Sequence, residues 1–248
     1  MEILLRWVFF SALALLPLSC WQRDKFPAQM PVLPPVTAAP IQASTATNAF
    51  SVALHGVDYH IQPVFDYELH GIVVSLRHHN ADRMLHERWQ DHLNIADLCV
   101  IWGANAQAPD LNAFEFWNGQ FTCFFRTESQ QAWQRFDRFA ISNNHLLTEA
   151  ADLREQIAKV QVGDQIRLRG QLANYSNSAG FDRATSTVRN DEGNGACETI
   201  YVRDFRILRS MTNPWRSLHS ISWAALLLAA GTWLALVMTG RLRHRASN

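Results

Sequence analysis

Four histidines, His78, His79, His86 and His92, fall in one short stretch that also holds Asp82. Imidazole nitrogens and carboxylate oxygens are zinc ligands, so the stretch is a metal candidate. Its spacing argues against that use. If a helix starts near Asn80, Asp82 and His86 share a face at i, i+4, whereas His92 lies well beyond and points elsewhere, and no His-Glu-x-x-His occurs. Asp82 and His86 stand as weak metal candidates; a solvated surface is the expectation, with no metal and no cofactor. A second candidate is His145, in Asn143-Asn144-His145 between a strand pattern and a helix pattern. There a histidine serves as a turn or cap residue, or meets an anion or acts as a base. The third is the segment Thr185 to Glu198, whose glycines permit tight backbone and whose Arg189, Asp191, Glu192 and Glu198 are polar. Arg189 and Asp191 are its binding candidates, and Glu198 joins His145 as a catalytic candidate. An ordinary long hairpin needs the same composition.

Nucleophilic catalysis finds no anchor, since neither Gly-x-Ser-x-Gly nor Ser-x-x-Lys occurs, and no Gly-x-Gly-x-x-Gly or Walker sequence offers a phosphate cradle. The 22 basic and 22 acidic side chains cancel, so no net charge draws nucleic acid. Arg167, Arg169, Arg203 and Arg206 alternate along two strand patterns and form either a wet face for an acidic partner or a plain solvated face.

Strand signals dominate the elements that must position these groups. Leu69–Leu76, Leu98–Trp102, Phe121–Phe125, Ile166–Leu172 and Thr199–Leu208 are short and rich in β-branched or aromatic residues, and the last two alternate. Two helices are expected, Asn80 to about His92 and Leu147 to Val160, the second capped by Thr148. The class is therefore β-rich α+β.

Val162-Gly-Asp-Gln-Ile-Arg-Leu-Arg-Gly-Gln-Leu172 resembles the Gly-Asp-x-Val-x-Leu-x-Gly strand of OB-fold barrels, in which a turn starts the strand and a glycine lets it bend. The resemblance implies an OB-like or other small barrel. Ser142–Leu146, Gly163–Gly170 and Gly193–Glu198 resemble phrases of a family of bacterial membrane-anchored periplasmic proteins, and that likeness implies no activity.

Apolar residues concentrate at both ends. Ser217 to Gly240 contains no Asp, Glu, Lys or Arg, and Arg241, Arg243, His244 and Arg245 follow it. About 20 residues at 1.5 Å each cross a hydrocarbon core of roughly 30 Å, and flanking basic residues mark the cytoplasmic side. An uncharged run from Trp7 to Trp21 follows Arg6 and reads as a signal peptide or retained anchor. Leu16-Pro-Leu-Ser-Cys20 resembles a lipobox, which makes Cys20 a lipidation candidate, although Pro17 departs from the pattern. The organisation expected is a membrane-targeting segment over 1–21, a Pro/Ala-rich spacer over 22–49, a periplasmic domain over 50–210, a transmembrane helix over 217–240 and a basic cytoplasmic tail over 241–248.

Cys99, Cys123 and Cys197 are an odd number in a compartment that oxidises thiols. Cys99 reads as a buried small hydrophobe, so the expected bridge is Cys123–Cys197. The function expected is a binding or assembly module tethered to the bacterial inner membrane, contacting an envelope protein or polymer and no nucleic acid. The alternative is a membrane-bound hydrolase with a His/carboxylate site.

Overall fold

The structure is a computed structural model that describes residues 2–27, 29–79, 84–190 and 197–239. It contains a helical unit, Met1–Pro27 with Thr212–Asn248, and a β-rich unit, Ala28–Met211.

In the helical unit α1 (Glu2–Gln22) lies against α6 (Pro214–Met238). Both are long and apolar enough to cross a membrane. Ala12 and Ser19 of α1 and Ser222, Ala229 and Leu236 of α6 are buried, so mostly small side chains let the helices approach. Ser19 Oγ lies 3.1 Å from His219 Nδ1. Asn213, the N-cap of α6, donates from its amide to the carbonyls of Gln22 and Arg23 at 3.0 Å. That contact satisfies carbonyls orphaned at the end of α1.

The β-rich unit is built on β1 (Ile41–Ser44), β2 (Phe50–Leu54), β3 (Val57–His78), β4 (Asn94–Ile101), β7 (Ile141–Leu147), β8 (Gln165–Asn177), β9 (Asp182–Arg183) and β10 (Glu198–Arg209). The pairings β3–β4, β4–β7, β7–β10, β10–β8 and β8–β3 return to their starting strand. A ring of five strands closed in this way leaves none of its members with an unpaired edge. Among the described residues only β7 and β10 pair parallel.

Alternation sorts the ring into two faces. Leu69, Leu98, Val100, Leu146, Ile166, Leu168, Ile200 and Phe205 form the main core, joined by Leu153 and Ile157 of α5 (Ala151–Ala158). A second cluster on the other face joins Tyr59, Ile61, Leu147, Ala173, Tyr175 and Tyr201. Gly170 of β8 permits this closure, because a Cβ there would stand 2.1 Å from the Tyr201 carbonyl oxygen of β10. Gly163, at φ +84°, turns the chain into β8. The turn at Gly163 is the one the Val162–Leu172 phrase leads one to expect, and Gly170 serves a close backbone approach.

Between β4 and β7 the chain makes an excursion through α3 (Gly103–Ala106), a hairpin of β5 (Phe114–Asn118) with β6 (Cys123–Thr127), and α4 (Gln130–Arg135). Phe114, Phe116, Phe125 and Phe136 pack among themselves beneath it.

The expected spacer over 22–49 is corrected. Val36 is fully buried, β1 pairs with β3, and Gln165 receives the Leu33 N–H at 2.8 Å and donates to the Pro31 carbonyl at 2.7 Å. Proline removes a donor but leaves carbonyls and an apolar ring, so a Pro-rich stretch can be laid on a sheet as well as extended in water. The expected helix over 147–160 is also shortened. Leu147 ends β7, Thr148 Oγ1 accepts from Ala150 N–H, and α5 begins at Ala151. Of the other expected helix, α2 (Met84–Trp89) lies within the described residues.

Candidate functional site

Asp97 and His145 stand directly opposite each other on the antiparallel strands β4 and β7. Their side chains share a face and meet, with His145 Nδ1 2.6 Å from Asp97 Oδ1. His79, just past the end of β3, brings its Nε2 to 2.9 Å from the same oxygen. All three are buried; the Asp97 side chain has 0% exposure. Two imidazoles thus converge on one carboxylate out of contact with water, and Asp97 Oδ2 accepts no hydrogen bond among the described residues.

Burial alone would raise the Asp97 carboxyl, but the charge and hydrogen bond of His145, and then His79, hold it well below the ordinary range. Burial lowers His145 from its ordinary 6.5, and the neighbouring carboxylate opposes that only in part. At neutral pH His145 is a neutral imidazole that donates its Nδ1–H to the buried carboxylate.

The β5–β6 turn covers this layer. Phe121 sits with its ring centroid 5.9 Å from His79, 6.1 Å from His145 and 5.4 Å from Trp89. The Arg183 guanidinium lies over the Phe121 ring, 4.3 Å from its centroid. Phe121 adopts φ +60°, a left-handed conformation that a bulky residue rarely takes. The surrounding contacts hold it there: Gly119 N–H closes the turn on the Thr122 carbonyl, and Arg77 Nη1 donates to the Gly119 carbonyl at 3.1 Å. A disulfide between Cys99 of β4 and Cys123 of β6 fastens the hairpin to the sheet.

That bridge corrects the expected Cys123–Cys197 pair. Cys99 does lie buried in its strand, but its side chain points to the same face as Asp97, where β6 arrives, so burial and bridging coincide. Cys197 is a free thiol. It donates to the Phe121 carbonyl at 3.5 Å and accepts from Asn143 Nδ2 at 3.6 Å, and burial pushes it up to about 11.

The structure separates the two catalytic candidates. Glu198 pairs with Asn144 and Thr199 with His145 in the β7–β10 register, so Glu198 points to the opposite face from His145. There its charge adds to burial in raising the Tyr67 hydroxyl, with Arg189 opposing. His145 itself lies within a strand, not in a turn. Arg189 donates to the Pro40 carbonyl and so ties the loop to the segment before β1. Asp191, Asp82 and the side chain of His86 lie outside the described residues. Among the described residues no group of three His, Cys, Asp or Glu is placed to hold a metal ion.

The arginine row is internally paired. Arg167 reaches Glu68 at 3.1 Å and Asp204 at 3.2 Å, Arg169 reaches Glu68 at 3.1 Å, and Arg206 reaches Asp204 at 3.4 Å. Arg203 donates to Gln171 and lies over the Tyr201 ring. Two carboxylates thus serve three of the four arginines and offset part of the charge of this face. Cys20 lies exposed within α1.

Sequence reasoning missed Asp97, Phe121 and Arg183 as site residues. For Asp97 a signal exists: it is the lone charge in Asn94–Ile101, a strand buried along its whole length, and a charge so placed must be paired. Comparison with family models, with curated proteins and with solved structures finds no match.

Proposed function

We propose that the chain is a membrane-tethered binding or assembly module of the bacterial cell envelope. In this reading α1 and α6 cross the inner membrane, the β-rich unit lies in the periplasm as an OB-like barrel, and the basic tail stays in the cytoplasm. The observation that carries it is a disulfide-bearing β unit threaded between two apolar helices. Bridges persist where thiols are oxidised, and an even number of spans returns the chain to the side on which it began. The OB-like assignment is supported by the closed order β3–β4–β7–β10–β8, the parallel β7–β10 pair and the position of α5 between β7 and β8. OB barrels bind oligosaccharides and oligonucleotides on the outer face of their second and third strands. With no net charge to favour nucleic acid, an envelope polymer or protein is the partner class.

Topology mapping tests the reading. A reporter fused after Asn248 should be active only in the cytoplasm, and crosslinking in cells should capture an envelope component. A reporter active outside the inner membrane, or a freely soluble full-length protein, would refute it.

A membrane-bound hydrolase is the second reading, favoured by the 2.6 Å His145–Asp97 pair. Phe121 lies over that pair, and Glu198 faces away from it. Substitution of His145 by Asn, a near-isostere, separates the two readings: a hydrolase loses turnover, whereas the binding module keeps its crosslinked partner.

A further inference from the structure

Asn143 and its hydrogen-bond partner Asn118 adjoin all three cysteines of the β-rich unit. Cys99 is the register partner of Asn143 across β4–β7, and Cys123 is the register partner of Asn118 across β5–β6. Asn118 Nδ2 donates to Asn143 Oδ1 at 3.2 Å, and Asn143 Nδ2 donates to Cys197 Sγ at 3.6 Å. From its other side the Cys197 thiol donates to the carbonyl of Phe121, two residues before Cys123 along the same turn. A free thiol therefore lies against the segment that carries one end of the bridge.

We propose that Cys197 is the acceptor thiol of an internal thiol–disulfide exchange, which moves the hairpin's bridge from Cys99–Cys123 to Cys123–Cys197. The Cys197 sulfur, having lost its proton, attacks Cys123 Sγ. The Cys123–Cys197 bond forms, the Cys99–Cys123 bond breaks, and the departing Cys99 sulfur takes up a proton. One thiol and one disulfide stand on each side of the step, so it needs neither oxidant nor reductant. Cys123 is the sulfur attacked because it rides on a two-stranded hairpin, whereas Cys99 is fully buried in a strand paired on both edges. The consequence is local. The turn bearing Phe121 passes from β4 to the start of β10, and its cover over His79, Asp97 and His145 is rearranged, while the barrel interior on the opposite face is untouched.

Burial holds the Cys197 thiol up at about 11, which keeps the thiolate scarce and exchange slow near neutrality. The test is irreversible trapping. Folded full-length protein is incubated with N-ethylmaleimide at pH 8.5, quenched in acid and mapped without reduction. The expected product carries maleimide on Cys99 and a Cys123–Cys197 bridge, and C197S yields none of it. Cys20, an exposed free thiol, is labelled in every case; within the β-rich unit, an intact Cys99–Cys123 bridge with Cys99 unlabelled after Cys20 is fully alkylated, whether or not Cys197 carries maleimide, would overturn the proposal. An independent arm uses C99S, in which Cys123–Cys197 should be the predominant bridge; recovery of folded C99S with both thiols alkylated counts equally against it. If C99S does not fold, the wild-type trapping decides alone.

Discussion

Asp97 is the residue on which the polar layer depends. A carboxylate without water is tolerated because it receives the His145 N–H and has His79 Nε2 2.9 Å away, and removing its charge leaves those imidazoles facing a weaker acceptor in a dry site. Breaking a buried charged network typically costs about 3 kcal/mol. Asp97→Asn is expected to lower the unfolding free energy by about that amount, read as a lower urea midpoint at unchanged slope. The layer also sets a pH dependence. The folded state disfavours protonation of His145, so below its ordinary 6.5 the unfolded chain binds the extra proton and stability falls as pH drops. The contribution of Asp97 is present above its ordinary 3.8 and is lost at lower pH, as acid approaches its depressed folded value. The thermal midpoint should fall between pH 7.5 and 5.5, and His145→Asn should flatten that part of the profile. His145 is legible in the sequence as a candidate because its Asn143-Asn144-His145 run stands between a strand pattern and a helix pattern. Asp97 is not, because nothing local tells which strand will arrive opposite it; the β4–β7 register, which is non-local, makes the pair.

At the scale of elements, the sequence showed strands wherever apolar alternation ran unbroken, as in β8 and β10, and hid them where polar residues occupy a buried strand, as in β7 with its Asn143-Asn144-His145. It also hid the length of β3, whose Pro63 and Asp66 interrupt the pattern although the strand bends through a register shift between Pro63 and Phe65. Two positions test how the barrel is assembled. A Cβ at Gly170 would meet the Tyr201 backbone oxygen, which cannot rotate aside. Gly170→Ala is therefore expected to destabilise by about 3 kcal/mol, at the upper end of ordinary overpacking, in a urea titration. The β2–β3 connection works the other way. His55 and Gly56 both adopt positive φ, 52° and 77°, the two-residue turn that favours Asn-Gly. His55→Asn should stabilise by about 0.5 kcal/mol, read as a thermal midpoint higher by about 1 to 2 °C.

For the molecule as a whole, the compositional asymmetry of the chain already announced two apolar ends around a β-rich middle, and the two units follow that division. What composition could not announce is the excursion between β4 and β7, because it has its own aromatic cluster and is fastened by one covalent link and by side-chain contacts to residues distant in sequence. Cys99 and Cys123 are 24 residues apart, and closing a loop of that size contributes about 3 kcal/mol of chain entropy. The barrel is held by its own core on the far face, so cutting the link should loosen the excursion without opening the ring. In Cys123→Ser, amides of β5 and β6 are expected to exchange with solvent roughly 100-fold faster, since each 1.4 kcal/mol is about a factor of ten. The amides of β8 and β10 should keep their protection relative to the variant's own global stability. If the ring strands exchanged together with the hairpin, the excursion would be an integral wall of the barrel; if the hairpin alone responded, it is a cover fastened over the His79–Asp97–His145 layer. The second outcome is the one the geometry supports, because Phe121 lies over the polar side chains of His79 and His145, while the main core of the ring is on the opposite face.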